Sequence, residues 1–108
     1  MRIATWNIEA VTGYKPITTF FEDFSIADMF GERAIKDTYK RGLKDANSLG
    51  YKELTEFVMV LNWKIWEHHG HHNDRLARLY DSLWRQADEY AVENLKGDEL
   101  AYYYRTTD

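Results

Sequence analysis

The stretch from Tyr51 to Leu95 constrains this chain more than any other part of it. Two long apolar-periodic segments, both bearing tryptophan, meet at His68-His69-Gly70-His71-His72. In the first, Leu54, Phe57, Val58, Leu61, Ile65 and Trp66 read as one face, with Met59, Val60 and Trp63 adding apolar surface elsewhere. A helix apolar on most sides belongs at the centre of a bundle. In the second, Leu76, Leu79, Tyr80, Leu83, Trp84, Ala87, Tyr90, Ala91 and Leu95 recur at three- and four-residue steps, the mark of an amphipathic helix. Asn73 suits its N-cap, Lys96-Gly97 its end, and Gly70 a left-handed cap closing the helix before it.

Upstream, Glu32 to Ala46 carries Ala34, Ile35, Tyr39, Leu43 and Ala46 on one stripe, and Asn47 to Gly50 ends it. Thr18 or Thr19 can cap a short helix holding Phe20, Phe21 and Phe24, with Ser25 as an alternative cap and Gly31 as its end. Residues 1–17, with the only proline at Pro16, keep no period and read as an extended arm. Asp98 to Tyr104 can add one more helical turn. The expected fold is therefore all-α: a compact bundle of three main helices plus a short N-terminal helical segment, with an arm over 1–17 and one domain over 18–108.

Composition narrows the functional classes. With no cysteine, thiolate metal sites, disulfides and Cys nucleophiles are excluded. No apolar run reaches membrane-spanning length and the N-terminus lacks a signal-peptide core, so the chain reads as cytoplasmic and soluble. Aromatic residues make up 16%, an enrichment shared by small cores and by partner-binding surfaces. Charge is segregated: residues 32–52 hold six basic against three acidic side chains, and residues 73–108 hold five against eight.

Four sets of residues could carry chemistry. His68, His69, His71 and His72, with Glu67, are weak candidate metal ligands: Gly70 interrupts their register, and a polar helix-to-helix turn is the preferred reading. No resident metal or cofactor is expected. Residues 25–44 have the outline of a helix-turn-helix, with Arg33, Lys36, Lys40 and Lys44 as DNA-binding candidates; Asp37 stands where that motif wants an apolar anchor. Glu53 and Glu56 have the spacing of the first magnesium-binding pair in all-α nucleotide pyrophosphatases, although Asp88, Glu89 and Glu93 do not reproduce the second pair. Tyr102, Tyr103, Tyr104 and Arg105 are candidate protein-interaction residues, because three consecutive tyrosines cannot share one helical side.

The segments Phe24–Gly31, Ile35–Arg41, Val58–Trp66 and Leu79–Asp108 resemble a small family of uncharacterised helical proteins of Firmicutes prophages and integrative mobile elements. The resemblance implies an accessory role in a mobile element and transfers no catalytic residue. The leading expectation is a non-enzymatic protein that binds another protein or a second copy of itself. A DNA-binding accessory factor and a magnesium-dependent nucleotide pyrophosphatase are the alternatives.

Overall fold

The computed structural model describes residues 17–108, with side chains from Thr19 onward, so the expected N-terminal arm lies outside the described residues. Five helices follow one another: α1 Ile17–Asp28, α2 Glu32–Leu49, α3 Tyr51–Gly70, α4 Asp74–Asn94 and α5 Asp98–Thr107. Among the described residues there is no strand. The all-α expectation holds, and the anticipated last turn is a ten-residue helix.

The central position expected for α3 is also found, since every other helix packs on it. Helix α1 runs alongside it in the same direction, with Phe20 against Phe57 at one end and Asp28 against His68 at the other. Helix α2 packs beside both, bringing the Tyr39 ring 5.8 Å from Phe57. Helix α4 returns along α3 and stacks Tyr80 on His68 near its own start. Helix α5 closes the opposite end, where Tyr102 meets Tyr51 edge-on at 5.3 Å. The core is an aromatic nest of Phe20, Phe24, Phe57 and Tyr80 continued by Leu54, Val58, Leu61 and Ile35, all within 1% of full burial.

Local sequence accounts for the joints. One residue, Gly50, links α2 to α3 at φ 139°, a conformation that side chains rarely adopt. Gly42 lets α2 approach closely: a Cβ there would stand 2.5 Å from Phe57 Cε1. Asn73 caps α4 as expected, its side chain accepting from the Leu76 N–H at 3.2 Å.

Four details differ from the sequence reading. Helix α1 begins at Ile17 and runs straight through Thr18, Thr19 and Ser25, none of which is therefore its cap. Helix α2 continues three residues past Ala46. Gly70 still belongs to α3, and the left-handed residue at the turn is His72, φ 58°. Trp66 is 67% exposed rather than part of the core face. Successive helical residues point about 100° apart, so Ile65 and Trp66 cannot both face inward, and the smaller, buried Ile65 takes the inner place.

Candidate functional site

The α3 face that buries Phe57 and Leu61 continues through position 64, one turn on, and there it places a lysine. The Lys64 side chain is 1% exposed. Its ammonium lies 2.7 Å from Asp28 Oδ2 and 2.6 Å from Glu67 Oε1, and donates to Ser25 Oγ at 3.4 Å. The Phe21 ring covers it, centroid 5.0 Å away. Three acceptors and an aromatic face thus replace the water an ammonium loses on burial.

Asp28, the last residue of α1, is the hub. Its Oδ2 also meets His68 Nε2 at 3.0 Å, and its Oδ1 accepts from the Tyr80 hydroxyl at 2.5 Å. Facing a carboxylate, Nε2 carries a proton in either charge state of the ring. The His68 imidazole stacks on Tyr80, 12° from parallel. Burial first, then the hydrogen bond to Asp28 and the nearby carboxylate charges, hold the Tyr80 hydroxyl far above the ordinary tyrosine range. The cluster ties α1, α3 and α4 together at one end of the bundle.

Among the described residues, Asp28, Glu67 and His68 form the one group of three potential metal ligands, with ligand atoms within 4.8 Å of one another. Lys64 contacts two of the three, so the positive charge they attract is already supplied by the protein. Of the four histidines that were weak metal candidates, one joins this group. Only His68 turns inward; His69, His71 and His72 are exposed. Because α3 runs on through Gly70, His68 keeps the core register one turn after Lys64, and the turn that follows carries the others outward. Backbone bonds from His71 to Glu67 and from Asn73 to His68 finish this helix end. Glu53, Glu56, Asp88, Glu89 and Glu93 build no such ligand group among the described residues.

The tyrosine tail divides by helical geometry. Tyr103 is fully buried and donates a short hydrogen bond to Asp88, and burial together with that carboxylate holds its hydroxyl well above the usual range. Tyr102 is half-buried between Tyr51 and the Arg105 guanidinium. Tyr104 and Arg105 remain exposed. Arg33, Lys36, Lys40 and Lys44 all lie on the exposed side of α2, with Lys36 paired to Glu32 at 3.0 Å.

Two exposed apolar surfaces escaped the sequence reading. On α3, Trp63 and Trp66 stand one turn apart, with Trp66 beside His69. At the α1–α2 turn, Ile26, Met29 and Phe30 are 57%, 80% and 76% exposed. Ile26 and Phe30 also wall a groove of about 380 Å³ between α1 and α2, whose other side includes Ala34, Thr38 and Arg41. Their signal in the sequence was present: Phe24 and Ala27 fill the inner face of α1, which sends Ile26 and Met29 outward.

No protein-family model, curated protein or solved structure matches this chain. No helix among the described residues is long and apolar enough to cross a membrane.

Proposed function

We propose that the protein is a non-enzymatic interaction protein and that it binds its partner through the α1–α2 turn. The carrying observation is the juxtaposition at Asp28. This residue is held by Lys64, His68 and Tyr80, and the two residues that follow it, Met29 and Phe30, stand in solvent. Holding an apolar turn in one conformation lowers the ordering cost of binding. Large apolar patches on a small soluble domain mark interaction surfaces.

Two further observations support the reading. The buried polar cluster is internally paired, Lys64, His68 and Tyr80 each being held by Asp28, which suits a structural clasp rather than a substrate site. Of the three tail tyrosines Tyr104 alone is exposed, so the tail is the smaller aromatic surface. The resemblance to prophage and mobile-element proteins adds an accessory role in such an element.

The test is affinity capture from cells that naturally produce the protein, comparing wild type with Met29→Glu and Phe30→Glu. Loss of the captured protein, with thermal stability retained, is the expected result. Capture unchanged by both substitutions but lost on Tyr104→Ala would move the surface to the tail.

A second reading, duplex-DNA binding, is supported by the single exposed stripe of Arg33, Lys40 and Lys44. Salt-dependent retardation of DNA, abolished by Lys40→Glu, would favour it.

A further inference from the structure

We infer that the Met29 thioether is an oxidation site, and that its conversion to the sulfoxide by hydrogen peroxide switches off binding at the α1–α2 turn. The site of modification follows from exposure and chemistry alone; its effect on binding rests on the reading above.

The oxidant has few places to react. The chain has no cysteine, so no thiolate competes for it. Of the three methionines, Met1 lies outside the described residues and Met59 is half-buried on α3. Met29 is 80% exposed, the highest value for a large apolar side chain among the described residues.

Oxidation at this position spares the fold. The turn is held by its backbone, the Met29 N–H donating to the Ile26 carbonyl at 3.0 Å and the Phe30 N–H to the Ala27 carbonyl at 2.9 Å. Asp28, just before it, is fixed by Lys64, His68 and Tyr80. None of these contacts uses the Met29 side chain, so an added oxygen leaves them in place. In a core, the same oxygen would disrupt packing. At Met29 it changes only what the surface offers.

The step balances without a further reactant. A sulfur lone pair attacks one oxygen of the peroxide, the S–O bond forms as the O–O bond breaks, and the second oxygen leaves as water with both protons. Sulfur loses two electrons and the peroxide gains them. The product places a polar oxygen next to Phe30 and three residues from Ile26. A partner packed on those apolar side chains must then bury that oxygen unpaired, which weakens binding by about tenfold or more. Sulfoxide reductases reverse the change, so the control is reversible. A bound partner covers the sulfur, so the oxidant acts on the free protein.

Peptide mass spectrometry of the full chain after graded hydrogen peroxide treatment tests the site. Affinity capture by the treated chain tests the effect. The expected result is one oxygen gained at Met29 several-fold faster than at Met59, with the thermal melt unchanged. Capture should be lost, then regained after treatment with methionine sulfoxide reductase. Met29→Leu keeps an apolar side chain that peroxide does not oxidise, so its capture should survive the treatment.

Oxidation of Met59 as fast as Met29 would overturn the site. Equal loss of capture by treated Met29→Leu would place the sensitive group elsewhere and overturn the control. Capture that survives Met29 oxidation but falls on Phe30→Glu overturns the control and leaves the binding surface. Capture by the untreated chain that ignores both Met29→Glu and Phe30→Glu overturns the reading above, and the control with it.

Discussion

The Lys64 ammonium lies 2.7 Å from the Asp28 carboxylate, fastening the end of α1 to the fourth turn of α3 inside the bundle. Removing Asp28 leaves the buried Lys64 ammonium with Glu67 alone and takes the acceptor from His68 and Tyr80, and breaking a buried pair of this kind costs up to about 3–5 kcal/mol. Asp28→Ala should lower the urea midpoint accordingly. Lys64→Met combined with Asp28→Leu should cost less than the two single changes added together, and a double-mutant cycle reads that difference. Asp28→Ala should also speed amide hydrogen exchange in Met29 to Ile35, because the turn loses its anchor.

Gly42 sets the distance between α2 and α3. Gly42→Ala would gain about 1 kcal/mol in helix propensity. Its methyl would meet Phe57 Cε1 at 2.5 Å, on a ring already hemmed in by Phe20, Phe24 and Tyr39. Overpacking of this kind costs about 1–3 kcal/mol, and with no free direction for the ring the upper part of that range applies. Net destabilisation in denaturant melts is the expected outcome; a stabilised variant would show that Phe57 can move.

Alkaline pH should unfold the protein through Tyr80 and Tyr103. Both hydroxyls are held above their ordinary value of 10.0, chiefly by burial and then by hydrogen bonds to Asp28 and Asp88. The folded state therefore keeps protons that the unfolded state releases. The stability contributed is fully present below pH 10 and is lost as pH rises past it. Absorbance at 295 nm, followed with circular dichroism, should show the last tyrosines titrating only as helicity disappears. Tyr103→Phe should flatten the fall in stability above pH 10.

Within the tail, neighbouring tyrosines should behave differently. Tyr103→Ala removes a fully buried ring and its bond to Asp88, with a cost of roughly 3–5 kcal/mol. Tyr104→Ala should change stability by less than about 0.5 kcal/mol. Deleting residues 99–108 would therefore test folding as much as binding, and point substitutions at Tyr104 and Arg105 are the informative probes of the tail.

Much of this architecture was readable from the chain. The three-four spacing from Leu76 to Leu95 located α4, the apolar surround of residues 54–66 put α3 at the centre, and Asn73 marked a helix start. The errors have physical causes. Ile65 and Trp66 were read as one face although neighbours on a helix diverge by about 100°. Lys64 fell in the core register after Phe57 and Leu61, but its burial depends on Asp28, which is remote in sequence and brought near only by packing. The same dependence hid the role of His68, which looked like one of four similar histidines. Among Tyr102 to Tyr104, the divergence of consecutive side chains was legible, whereas the identity of the inward one required Asp88.

The central claim is that the turn held out by Asp28 is the binding surface. Photo-crosslinking in producing cells tests it most directly, with a photoreactive residue placed at Phe30 in one variant and at Tyr104 in another. The expected result is a discrete protein adduct from position 30, absent from position 104 and lost when Met29→Glu is added. An adduct from position 104 alone, with none from position 30, would contradict it.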